Sequence, residues 1–195
     1  MNALRLAAVR THGAMRADAM RSLAAYLTEH VPDVLAIHGV DEGDALALAT
    51  RFEYGWGYRG SEALFWSSAY RARAIHDRYL PAPLLRPFER RGLLCIEGEC
   101  GGAALALSAV QFSPDRARAH EVRFVREQLR RMDGDALFFA AAFDPRLRLQ
   151  SLDFTVVAAP DGGEELAIGL RGFAAGTATA EDAAFGGALR LTARR

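Results

Sequence analysis

Two runs in this chain have no polar face. Residues 103–110 (AALALSAV) and 136–142 (ALFFAAA) are apolar at nearly every consecutive position, and a strand that is apolar on both sides needs cover on both sides. They are expected to be central strands of a layered α/β domain, a sandwich of two packed sheets with helices 14–30 and 115–132 outside.

The rest of the chain supplies those layers. Residues 4–9 are a short apolar run broken by Thr11-His12-Gly13. Over 14–30 the period changes: Met15, Ala19, Met20, Leu23, Ala24 and Leu27 recur at helical spacing, Arg16, Asp18, Arg21 and Glu29 fall largely elsewhere, and Pro32 marks the end. With a strand at 33–38 (DVLAIH) this makes a βαβ-like opening. A shorter helix fits 44–51, and aromatic-rich strands fit 54–58 and 62–66 around a turn at Gly60. The Pro-rich stretch 80–87 reads as a loop, and 92–97 with 103–112 reads as a hairpin around the Gly-rich residues 98–102. Ser113-Pro114-Asp115 opens a helix with Ala119, Val122, Val125, Leu129 and Met132 as its buried stripe. Arg116, Arg123, Arg126 and Arg130 then lie toward solvent, diluted by Glu121 and Glu127. Further strands fit 154–159, 165–170 and 188–192. With no repeat, linker or low-complexity tract, residues 1–195 read as one domain.

Composition narrows the function classes. Lys plus Arg and Asp plus Glu are both 24, so bulk attraction to nucleic acid or an anionic membrane has no support. Every one of those basic residues is Arg, a bias that fits a high-GC coding preference and removes Lys as a catalytic amine; the only Asn is Asn2. Cys95 and Cys100 are too few for a disulfide framework or a structural zinc site, so a reducing cytoplasm is expected. No apolar stretch approaches the ~20 residues of a spanning helix. No P-loop, GxGxxG after a strand, or Ser-His-Asp order is present.

In order and spacing, several segments resemble the endonuclease/exonuclease/phosphatase superfamily, the deoxyribonuclease-I-like fold, over almost the whole chain. LRLAAVRTH stands where that family has a strand ending in Trp-Asn, and PDVLAIHGVDE is similar to its Pro-Asp-hydrophobic-Gln-Glu segment. EALFWSSAYR looks like a strand beside the substrate groove, and GLLCIEGECGGAALALSAVQFSP resembles the hairpin leading to Thr-His-Leu. DALFFAAAFDP resembles the strand ending in Gly-Asp-Phe-Asn, SLDFTVV the Asp-Tyr segment, and TAEDAAFGGALRL the closing Ser-Asp-His.

The resemblance implies a metal-dependent phosphoester hydrolase, in which a divalent cation held by hard oxygen ligands, a carboxylate and histidines act on the phosphorus centre. At five matching positions those groups are gone. Arg10 replaces the Asn, Gly39 the metal-binding Glu, Gln111 the His of Thr-His-Leu, Ala142 the Asp of Gly-Asp-Phe-Asn, and Ala183 the His of Ser-Asp-His. Asp144, at the following Asn position, Asp153 and Asp182 keep polar groups. Groups acting as one unit fail together, so the expectation is a catalytically degenerate binding or interaction module without a cofactor, its remnant pocket formed by Arg10, His12, His38, Asp41, Gln111, Asp144, Asp153 and Asp182.

The alternative is an active phosphodiesterase or nuclease with a rewired Mg or Mn site built from His12, His38, Asp41, Asp144 and Asp182, although two His with carboxylates suit zinc or manganese better than magnesium. The plain reading of both histidines is loop residues with ordinary hydrogen bonds. Arg10 either binds a phosphate-bearing or carboxylate ligand bidentately or neutralises Asp182, Asp144 or Asp153, and the second is favoured because leftover carboxylates must be paired. Tyr54, Trp56, Tyr58 and Trp66 could stack bases, but aromatic residues alternating along strands more often pack the sheet. Nucleic acid and membrane are therefore not expected partners, whereas a protein partner remains open.

Overall fold

The computed structural model describes residues 3–11, 15–81, 91–113, 118–159 and 166–195. Within them the chain forms β1 (Leu4–Arg10), α1 (Ala17–His30), β2 (Val34–His38), α2 (Glu42–Phe52), β3 (Gly55–Arg59), β4 (Glu62–Trp66), β5 (Tyr70–Tyr79), β6 (Gly92–Cys100), β7 (Ala103–Gln111), α3 (Arg118–Arg130), β8 (Asp135–Ala141), β9 (Thr155–Ala158), β10 (Ala167–Arg171), β11 (Ala174–Ala183) and β12 (Gly186–Arg194). Two short 3-10 turns, Pro145–Leu147 and Leu149–Leu152, lie between β8 and β9.

The strands make two sheets of six, ordered β11-β12-β1-β2-β4-β3 and β5-β6-β7-β8-β10-β9. Each contains one parallel pair, β1 with β2 and β7 with β8, and each pair is joined through a helix, α1 or α3. The two apolar runs that opened the sequence argument are β7 and β8, third and fourth of their sheet. They are covered on both sides. Leu105, Leu107, Ala109, Leu137 and Phe139 face the other sheet, where Leu6, Ala8, Ala36, Leu64 and Leu191 meet them. On the opposite face, Val110, Phe138 and Ala140 pack beneath Val122, Val125 and Leu129 of α3. The first sheet repeats this scheme, with Ala7, Val9, Leu35, Ile37 and Phe65 under Leu23 and Leu27 of α1 and Ala45, Leu48 and Ala49 of α2.

The expected sandwich is therefore present, with two strands more than its apolar pattern disclosed. β5 and β11 are the sheet edges beyond the hairpins β5-β6 and β11-β12. Neither carries a continuous apolar face, which is why periodicity missed them. The predicted stripe of α3 is largely right, but Ala119 is exposed and Glu121 is buried, not part of the solvent face. Glu121 accepts from the Ser113 backbone N–H at 2.7 Å and from its hydroxyl at 2.6 Å, so the buried carboxylate is satisfied. The Pro114-Asp115 helix start and most of the 80–87 loop lie outside the described residues. The aromatic residues pack the structure: Trp66 sits in the inter-sheet core beside Tyr70, and the Tyr54 hydroxyl donates to the Pro32 carbonyl at 2.8 Å.

Both thiols sit where burial disfavours the thiolate. Burial pushes Cys95 up to about 12 and also raises Cys100, so the reactive thiolate is scarce at neutral pH. Iodoacetamide at pH 8 is expected to label neither cysteine in the folded protein and both after denaturation, read by intact mass; fast native labelling of Cys95 would contradict its packing on β6.

Candidate functional site

β1 and β2 run parallel and end together, Arg10 in register with His38. His38 is in register with Glu62 of β4, and Glu62 with Arg59 of β3. Leu6, Ala8, Val34, Ala36 and Leu64, at alternating positions of the same strands, belong to the inter-sheet core. Side chains alternate along a strand, so the four polar residues form a row on the inner face, at the mouth of the sandwich.

At its centre His38 and Glu62 are both fully buried, and His38 Nδ1 is hydrogen-bonded to Glu62 Oε2. The Ser61 hydroxyl reaches the other carboxylate oxygen at 3.4 Å. His38 Nε2 is buried and has no hydrogen-bond partner among the described residues. Arg59 ends the row: it pairs with Asp77 of β5 at 2.8 Å and lies 3.9 Å from the centre of the Tyr79 ring, tying the first sheet to the second. Arg10 is half-buried, with Nε and Nη1 shielded from solvent. Across the mouth, Gln111 continues the inner face of β7 beside Ala141 of β8. The β11-β12 turn closes on the end of β1, where a Cβ on Gly186 would stand 1.9 Å from the Arg10 carbonyl oxygen.

Asp144 and Asp41 are engaged locally, and Asp153 and Asp182 are exposed. Asp144 is nearly buried and chelated by Arg146, whose Nε lies 3.0 Å from both oxygens and whose Nη2 lies 2.6 Å from Oδ2; it also accepts from the Arg146 backbone N–H at 2.8 Å. Asp41 is exposed and caps α2, accepting from the Asp44 N–H at 2.8 Å. Asp153 is exposed in the left-handed conformation that closes the second 3-10 turn. Asp182 is exposed on β11 opposite Gly187. His12 lies outside the described residues. Of the predicted residues, Arg10, His38 and Gln111 stand at the strand ends around the mouth. Glu62 was missed, although it and His38 are the lone polar residues of two otherwise apolar strands, EALFW and VLAIH.

A hard divalent cation needs several oxygen ligands in a near-octahedral array. Among the described residues no three His, Cys, Asp or Glu side chains come together to hold an ion. The end of β2 is also closed to a new ligand. Gly39 has φ +83°, and a Cβ there would lie 2.6 Å from the Thr11 carbonyl oxygen.

No family model and no curated protein matches the chain. Its fold is nevertheless shared with solved structures. An endonuclease/exonuclease/phosphatase from Bacteroides vulgatus superimposes with a TM-score of 0.76 at 9% identity, covering 100% of this chain and 99% of that one. TDP2 from D. rerio, complexed with a single-strand DNA product, gives 0.74 at 14% identity and covers 100% of both chains. A mannosyl-6-phosphatase from Bacteroides thetaiotaomicron gives 0.73 at 10% identity, covering 98% of this chain and 100% of that one. The chain therefore has the deoxyribonuclease-I-like α/β sandwich fold of the endonuclease/exonuclease/phosphatase proteins. No helix among the described residues is long and apolar enough to cross a membrane.

Proposed function

We propose that this chain is a non-catalytic protein on the endonuclease/exonuclease/phosphatase scaffold, a binding or interaction module that does not hydrolyse phosphoesters with a metal ion. The observation that carries this reading is position 39. The residue matching the family's metal-binding Glu has no side chain, and its backbone leaves no room for one. The other acids that a rewired site would recruit support the same reading, Asp144 being held by Arg146 and Asp41 by the start of α2. In this reading Arg10 supplies a fixed positive charge at the mouth, where the family has a neutral amide beside the cation.

The test is an assay of the purified protein on bis(p-nitrophenyl) phosphate, p-nitrophenyl phosphate and single-stranded DNA with Mg²⁺ or Mn²⁺, beside calorimetric titration with Mg²⁺, Mn²⁺ and Zn²⁺. Turnover is expected to stay at background and no stoichiometric ion to bind. Metal-dependent turnover that disappears on Asp144→Ala or Asp182→Ala would overturn the proposal in favour of a rewired hydrolase.

A further inference from the structure

Away from the mouth, on the outer face of the first sheet, a cavity of about 240 Å³ lies between the end of α1 and strands β1, β12 and β11. Register explains its lining. Arg5 pairs with Thr192, and Ala7 with Arg190, which in turn pairs with Thr179 of β11. Ala7 and Ala188 belong to the outer core beneath α1, so Arg5, Arg190 and Thr192 share that face. Thr177 joins them through its N–H, which donates to Thr192 Oγ1 at 3.0 Å and leaves the Thr192 O–H free to point elsewhere. Since β11 is exposed from Ala174 to Asp182, the cavity is open to solvent on that side.

Arg190 is held in place without being used up. Its Nη1 lies 2.8 Å from His30 Nδ1. A guanidinium only donates, so Nδ1 is the acceptor and the His30 proton sits on Nε2. Arg190 Nε faces Glu181 Oε1 at 3.2 Å but makes no hydrogen bond, and Nη2 has none among the described residues. Arg5 is more than half exposed, and its side chain reaches Asp33 only at 3.4 Å. Two guanidinium groups, the His30 ring and threonine hydroxyls thus border one small space with Ala7 beneath them, Leu6 and Leu191 pointing their side chains into the inter-sheet core on the other face.

We propose that this cavity binds the phosphate group of a small ligand, with Arg190 as its main contact, Arg5 as a second cation, and Thr177, Thr179 and Thr192 as neutral donors. A tetrahedral oxyanion presents acceptors in several directions, which suits donors arriving from two strands and a helix end, and a fixed guanidinium fork matches it bidentately. Glu181 and Asp33 each already face one of the arginines, so they keep affinity for a bare anion modest. This site goes beyond the non-catalytic reading of the mouth and does not depend on it.

The experiment is an NMR titration of the whole chain with inorganic phosphate and, in a second arm, phenyl phosphate. Saturable amide shifts are expected at Thr177, Thr179, Arg190 and Thr192. Arg190→Gln should weaken binding about ten- to a hundredfold, the value of a charge-assisted contact. Thr179→Val, on an exposed edge strand where folding is not at stake, should weaken it by a smaller factor. Tighter binding of phenyl phosphate identifies a phosphate ester as the ligand class, and equal binding identifies the free ion; either supports the site. No saturable shift with either probe, shifts confined to Arg10, His38 and Gln111, or unchanged affinity in both variants would overturn it. Hydrolytic turnover in the separate assay would overturn the reading of the mouth and leave these shifts unaffected.

Discussion

Glu62→Ala will lower the unfolding free energy by roughly 2–5 kcal/mol, the cost of a cavity and of a buried imidazole left without its hydrogen-bond partner. Glu62 and His38 have no exposed surface, and the carboxylate is the only hydrogen-bond partner of the imidazole among the described residues. Alanine would leave both ring nitrogens without a partner in a space bordered by the inter-sheet core. Glu62→Gln keeps an acceptor for Nδ1–H and should cost only about 1–2 kcal/mol. The double variant His38→Leu/Glu62→Leu should cost less than Glu62→Ala alone, because well-packed apolar residues carry no orphaned polar group. Denaturant unfolding with an unchanged slope measures all three. A Glu62→Ala loss below about 1 kcal/mol, within the range of an ordinary surface change, would show that the pair does not hold the mouth of the sandwich together.

What could be seen in the sequence follows from where the constraint lies. β7 and β8 were legible because central strands must be apolar on both sides, and AALALSAV and ALFFAAA leave no other use for such runs. β5 and β11 were not, because an edge strand exposes much of its length; YRARAIHDRY spends its polar positions on solvent, and AAGTATAEDA has only small and polar residues. The site divides in the same way. Arg10, His38 and Gln111 could be placed because each closes a recognisable strand. Glu62 acquires meaning only through the antiparallel register that sets it beside His38, which one strand's sequence does not contain. The environment of Asp144 likewise depends on a tight turn that folds Arg146 back onto it from two residues away, and the burial of Glu121 depends on its reaching Ser113.

Placing a glutamate at the end of β2 will not create a metal site. Gly39→Glu is expected to destabilise the protein by at least ~2 kcal/mol, combining a left-handed φ that residues with a Cβ resist with a Cβ placed 2.6 Å from the Thr11 carbonyl oxygen. That oxygen belongs to the chain segment directly after β1, where Thr11 is pinned by its N–H and hydroxyl to the His38 carbonyl at 2.8 and 3.2 Å, so it cannot retreat without releasing the β1-β2 junction. Since the obstruction is the Cβ itself, Gly39→Ala should cost nearly as much as Gly39→Glu, and calorimetry on the glutamate variant should show no stoichiometric Mg²⁺. The other departures differ in kind: Gln111, Ala142 and Ala183 already carry a Cβ, and at Ala142, with φ +50°, aspartate is among the residues that tolerate the left-handed region. What bars a carboxylate at position 39 is thus the path of the backbone, whereas at positions 111, 142 and 183 only the side chain differs. A Gly39→Glu protein as stable as its parent that binds Mg²⁺ one to one would show instead that the end of β2 can reopen, and that a single substitution separates this scaffold from a metal-binding one.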